Sequence, residues 1–74
     1  MNRALLEKHL VRAEQHVAQS ERHVRRQQEL IEPLAAYGQD TTEAEDLLEE
    51  FERGLALHSD GRDQILAQLV KPTH

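Results

Sequence analysis

The chain has 74 residues, a net charge of −5 and no cysteine, which excludes several large domains, a disulfide framework and a thiolate metal site. Apolar residues make up 38% and the aromatics are one Phe and one Tyr; below roughly 70–80 residues a lone core this poor is marginal, and association is a common remedy. No apolar run approaches the roughly 18 residues of a membrane span or resembles a secretory leader, so the expectation is a cytoplasmic protein with no membrane contact.

The first predicted element carries "HLVRAEQHVAQSERHVRRQQE", residues 9–29, which is three sevens laid end to end. With Leu10 at heptad position a, the a positions are Leu10, Val17, Val24 and Ile31. The d positions are Leu6, Ala13, Ser20, Gln27 and Leu34. This period predicts a helix over about 3–36, and its small d residues let a second helix approach closely. Pro33 removes one backbone donor and crowds the carbonyl of Glu29, which predicts a kink or a frayed last turn.

"YGQDTTE" is the punctuation, with the turn at 37–40. Gly38 suits the left-handed conformation that closes a helix. Asp40 is a good N-cap, and Glu43 three residues later completes a box-like pattern. The second predicted helix covers about 41–70. Ala44, Leu47, Leu48, Phe51 and Leu55 line one face, and His58, Arg62, Ile65 and Leu69 continue it, with Leu66 on its flank. "HSDGRD" offers Ser59 or Asp60 as the cap of a third helix, but the stripe keeps its phase there, which favours one continuous helix. Residues 71–74 read as a frayed tail.

A connection this short forces the helices antiparallel. The expected fold is all-α, an antiparallel two-helix coiled-coil hairpin. A lone hairpin leaves one side of each apolar stripe wet, so two copies are expected to pair as a homodimeric four-helix bundle. The expected core and interface residues are Leu10, Val17, Val24, Ile31, Leu48, Phe51, Leu55, Ile65 and Leu69, with Phe51 the chief anchor near the turn.

Charge is unevenly spread. Residues 1–37 hold six basic and five acidic groups, whereas residues 38–74 hold nine acids against Arg53, Arg62 and Lys71. Folding about Gly38 places Arg22, Arg25 and Arg26 alongside Glu49, Glu50 and Glu52, and pairing between them is expected. Arginines so neutralised, with no aromatic residue beside them for base stacking, argue against a nucleic-acid partner.

"HVAQSERHVRRQ", "YGQDTTEAEDLLEEF" and "LHSDGRDQILAQL" together resemble a family of short uncharacterised bacterial helical-hairpin proteins, with an ERH-x4-Q segment, a G-x-DTTEA turn and an LH-x3-RD segment. The resemblance covers most of the chain. It implies a helical hairpin and no assigned activity. "QELIEPL", residues 28–34, is similar to the phosphoacceptor box of histidine-kinase dimerisation domains, but Gln28 stands where the phosphorylated His would be. An amide does not accept a phosphoryl group in that way.

His9, His16 and His23 recur every seven residues, about 10.5 Å apart along a helix, so no two of them share a metal. They read as a half-buried column flanking the seam. His58 and Arg62 interrupt the second stripe at i and i+4 and fall opposite His16 and Ser20. His16, Ser20, His23, His58 and Arg62 are therefore the candidate polar seam layer, whose plain role is fixing register and whose functional role would be an ion site. No nucleophile–base pair, phosphate loop or desolvated carboxylate pair is present, so no catalytic residue, metal or cofactor is assigned. The expected function is a non-enzymatic, self-associating interaction or scaffold module for an unidentified protein partner. The alternatives are an RNA-binding hairpin dimer and a degenerate histidine-kinase-type dimerisation unit.

Overall fold

The computed structural model of the chain describes residues 2–71. Two helices, α1 (Arg3–Ala36) and α2 (Thr42–Val70), pack side by side as an antiparallel hairpin. α2 runs unbroken through Ser59, Asp60 and Gly61. Lys71 is extended, and residues 72–74 of the expected tail lie outside the described residues. No helix is long and apolar enough to cross a membrane among the described residues.

Every a and d position of α1 from Leu6 to Leu34 is buried or half-buried, and Ala18 is the one further α1 residue that is not exposed. On α2 the seam follows Thr41, Ala44, Leu48, Phe51, Leu55, Arg62, Ile65 and Leu69, all half-buried. These steps alternate between three and four residues, the heptad spacing of α1, except between Leu55 and Arg62, where the intervening stripe residue His58 is exposed. Leu47 and Leu66 fall outside the seam, each 40% exposed. Phe51 is half-buried, whereas the buried aliphatic residues are Leu6 and Val17, at 7% and 6% exposure. The hairpin measures 60 × 14 × 13 Å, so it is one helix thick in one direction and no seam residue is far from water. Pro33 lies within the last turn of α1, and the helix continues past it to Ala36.

The turn closes α1 in two hydrogen bonds. The N–H of Gly38 donates to Ala35 O at 3.0 Å and that of Gln39 to Leu34 O at 2.9 Å. This pairing needs a left-handed residue between helix and loop, and Gly38 supplies it with φ +71°. At the start of α2 the capping pattern is shifted by one residue from the expected one. Thr41 holds the N-cap position without a side-chain cap. Asp40, one residue earlier, accepts from the Thr42 hydroxyl at 2.7 Å and the Thr42 N–H at 2.9 Å. Glu43 therefore enters at the second helical position and the expected box does not form, but Glu43 and Glu45 still place negative charge on the positive end of the helix dipole.

At the open end the two helices finish each other. Asn2 Oδ1 accepts from the Ala4 N–H at 2.8 Å and caps α1. Arg3 Nη1 donates to Leu69 O at 3.2 Å, and Arg3 Nε pairs with Glu7 at 3.2 Å. The last turn of α2 holds no basic residue of its own, so α1 provides the cation that complements that helix end.

The bonds from Thr42, the hydroxyl's first, hold the Asp40 carboxyl below its ordinary value of 3.8. A depressed carboxyl favours the fold above its unfolded pKa and loses that contribution as pH falls through its folded pKa. Asp40→Ala is expected to unfold at lower urea concentration than the parent at pH 7. The gap should close once the pH drops below that folded value, and urea titrations at the two pH values measure it.

Candidate functional site

The antiparallel register brings two histidines of α1 against α2. The rings of His16 and His58 stand edge to face, with centroids 5.2 Å apart at 64°. One heptad closer to the turn, the ring of His23 lies 5.4 Å from that of Phe51 at 56°. His9, the third member of the column, is exposed.

The expected buried polar layer is not what the hairpin contains. His16, His23 and His58 are all exposed, and only Ser20 and Arg62 are half-buried. The reason is positional. His16 and His23 occupy heptad position g, which edges the seam, so their rings lie along its rim. Arg62 turns to its chain neighbour, Asp63, and binds it at 3.1 Å through both Nε and Nη2. The arginine head thus remains at the surface while its stem covers the seam.

The polar residue that does enter the seam is Gln27, 7% exposed. Its Nε2 donates to the carbonyl of Ala44 at 2.9 Å, linking the last third of α1 to the first turn of α2. Gln27 sits at position d, and the signal for it was present in the repeat: it is the one long polar side chain among the a and d positions from Leu6 to Leu34.

The expected cross-helix pairing of arginines and glutamates does not form. Among the described residues the ion pairs are Arg3–Glu7 and Arg62–Asp63. Arg22, Arg25 and Arg26 take the outer positions f, b and c of α1 and are exposed. Glu49 and Glu50 likewise take outer positions of α2, so sequence alignment along the axis leaves them on different sides of the rod. The three arginines instead line an open groove on α1 with Glu29 and Leu30. A second, smaller hollow of about 210 Å³ lies between His23, Arg26, Gln27, Leu30 and Phe51.

The geometry leaves its polar groups dispersed along the rod. No group of three or more His, Cys, Asp or Glu side chains converges among the described residues. What it does provide is a bare rim of imidazoles, a run of unpaired guanidinium groups and a set of uncovered apolar side chains.

Gln27→Ala removes both the inter-helix bond and the packing of the side-chain stem. Its expected cost is about 1–2 kcal/mol in urea unfolding, because a net hydrogen bond contributes about 0.5–1.5 kcal/mol and the lost stem adds to it. Gln27→Met keeps the stem and should stay within about 1 kcal/mol of the parent. Equal stability of the alanine variant and the parent would show that Gln27 does not hold the register.

No protein-family model matches the chain, and neither does any curated protein or solved structure.

Proposed function

We propose that this protein is a non-enzymatic, self-associating helical-hairpin module, in which two copies cover each other's open flanks as a four-helix bundle and offer an outer helical face to a protein partner. A cytoplasmic location and the kinship with short bacterial hairpin proteins, carried by the G-x-DTTEA and LH-x3-RD segments, belong to the same reading. The observation that carries it is the incomplete burial of apolar side chains. No side chain is fully enclosed among the described residues, while Leu30, Leu57 and Val70 are 52%, 73% and 79% exposed. One helix–helix seam leaves this surface in water, and burying apolar area stabilises by roughly 25 cal/mol per Å². A second hairpin of the same kind supplies the missing cover without requiring any new element.

The test is whether folding is tied to concentration. Sedimentation is expected to show a dimer at tens of micromolar, and the melting temperature is expected to rise with protein concentration. Leu30→Glu with Leu47→Glu, which places charges at exposed apolar positions outside the intrachain seam, should yield monomer and lower the melting temperature. A parent chain that sediments as a stable monomer, with a melting temperature unchanged on dilution, refutes the proposal.

One observation favours a second reading, an RNA-binding hairpin. Among the described residues Arg22, Arg25 and Arg26 form no ion pair with α2, and they border a common groove in which Glu29 is the one acid. Electrostatic binding of this kind weakens steeply with salt. A mobility shift of RNA at low salt, abolished when all three arginines are changed to Gln, supports the RNA reading. The scaffold reading expects no shift.

A further inference from the structure

We propose that His16 and His58 form a two-histidine site for a divalent late transition-metal ion, such as Zn²⁺ or Ni²⁺, which would clamp α1 to α2 near the middle of the rod. The proposal does not rest on self-association, since both ligands come from one chain.

The geometry is the first argument. An imidazole bound through nitrogen at about 2.0–2.1 Å puts its ring centre about 3.2 Å from the ion, and two such rings at a tetrahedral angle stand about 5.2 Å apart. The centroids of His16 and His58 are 5.2 Å apart. The proposal requires each ring to turn about its side-chain torsions until one nitrogen faces the shared point. A pair drawn from opposite helices also escapes the limit on a single helix, where the heptad spacing keeps His9, His16 and His23 too far apart to share an ion.

Access and ligand chemistry supply the second argument. Both histidines are exposed, so an ion enters without opening the seam. Gly61 lies three residues beyond His58 on α2, and a side-chain carbon there would meet nothing within 4 Å. The exposed rim leaves the remaining coordination positions to water. Neutral imidazole favours Zn, Cu and Ni over the hard ions Mg and Ca, which prefer oxygen. No third His, Cys, Asp or Glu joins the pair among the described residues, so the site is open and its affinity moderate, unlike a closed structural zinc site with four protein ligands.

The consequence is linkage. An ion that needs both helices in place binds the folded hairpin and not the unfolded chain, so it raises the melting temperature. With free Zn²⁺ at about five times Kd, the rise expected for a chain of this size is about 4–8 °C. Isothermal titration with ZnCl₂ should give one ion per chain. Both the heat and the thermal shift should disappear in His16→Gln and in His58→Gln and should persist in His9→Gln, whereas MgCl₂ in place of ZnCl₂ should give neither. The substituted positions are exposed, and circular dichroism without metal checks that each variant is folded. Absence of a zinc-dependent shift in the parent overturns the proposal. So does a shift that survives in folded His16→Gln, or a stoichiometry of one ion per two chains, which would place the site between copies.

Discussion

Side chains at positions a and d of α1 have a single neighbouring helix to bury against. A second helix covers only the part of a residue that points at it, and in a rod 14 × 13 Å across water reaches the other part from either rim. This explains why the strict heptad of α1 and the matching stripe of α2 yield half-buried residues almost throughout, with only Leu6, Val17 and Gln27 below one-tenth exposure. It also explains why the single Phe does not act as an enclosed core. Its ring stands between the seam and the rim, where His23 covers one side of it. The hairpin is held by many partial contacts along its length, with no central cluster.

Such a seam is poor at defining register, because a one-heptad slide would present nearly the same aliphatic pattern again. Two polar contacts break that degeneracy. Gln27 with the Ala44 carbonyl sits near the turn, and Arg3 with the Leu69 carbonyl sits at the open end. The turn supplies a third constraint, since Gly38 ends α1 at a defined residue and Asp40 gathers the first groups of α2. Slippage would leave Gln27 buried without its acceptor, which is costly in a way that shifting one leucine past another is not.

The heptad period was enough to read the two helices and the a and d residues that meet, and the short connection was enough to read their antiparallel packing. It was not enough for what depends on angle around the helix. Arg22, Arg25 and Arg26 lie level with Glu49, Glu50 and Glu52 along the axis, and axial proximity suggested ion pairs. Heptad positions b, c and f point outward, so the pairs do not form. The cap of α2 was misplaced by one residue for a related reason. Asp40 has the right chemistry, but the two threonines after it offer both a hydroxyl and an N–H to the same carboxylate, and the helix begins one residue later. The candidate polar layer was read from the antiparallel register and from residues that interrupt the apolar stripe. The register marked His16 and His58 correctly as neighbours, but position g sets His16 on the rim and His58 is exposed beside it, while the buried amide of Gln27 passed as an ordinary d residue.

That distinction between rim and seam determines what the polar groups can do. A buried imidazole or amide is committed to its internal partner, and replacing that partner leaves a desolvated group unpaired. Gln27 is of this kind, and its role ends with register. An imidazole on the rim retains its ring nitrogens for exchange with water, an ion or another chain, while the helices still fix where it stands. In this hairpin the heptad repeat does both at once. Its a and d columns consume their side chains in holding the rod together, and its g column delivers histidines to the same edge at every second turn, where α2 brings His58 to meet one of them. Chemistry on so thin a fold has to be built at that edge, because the interior has no room for a ligand and the outer face has no second helix to contribute one.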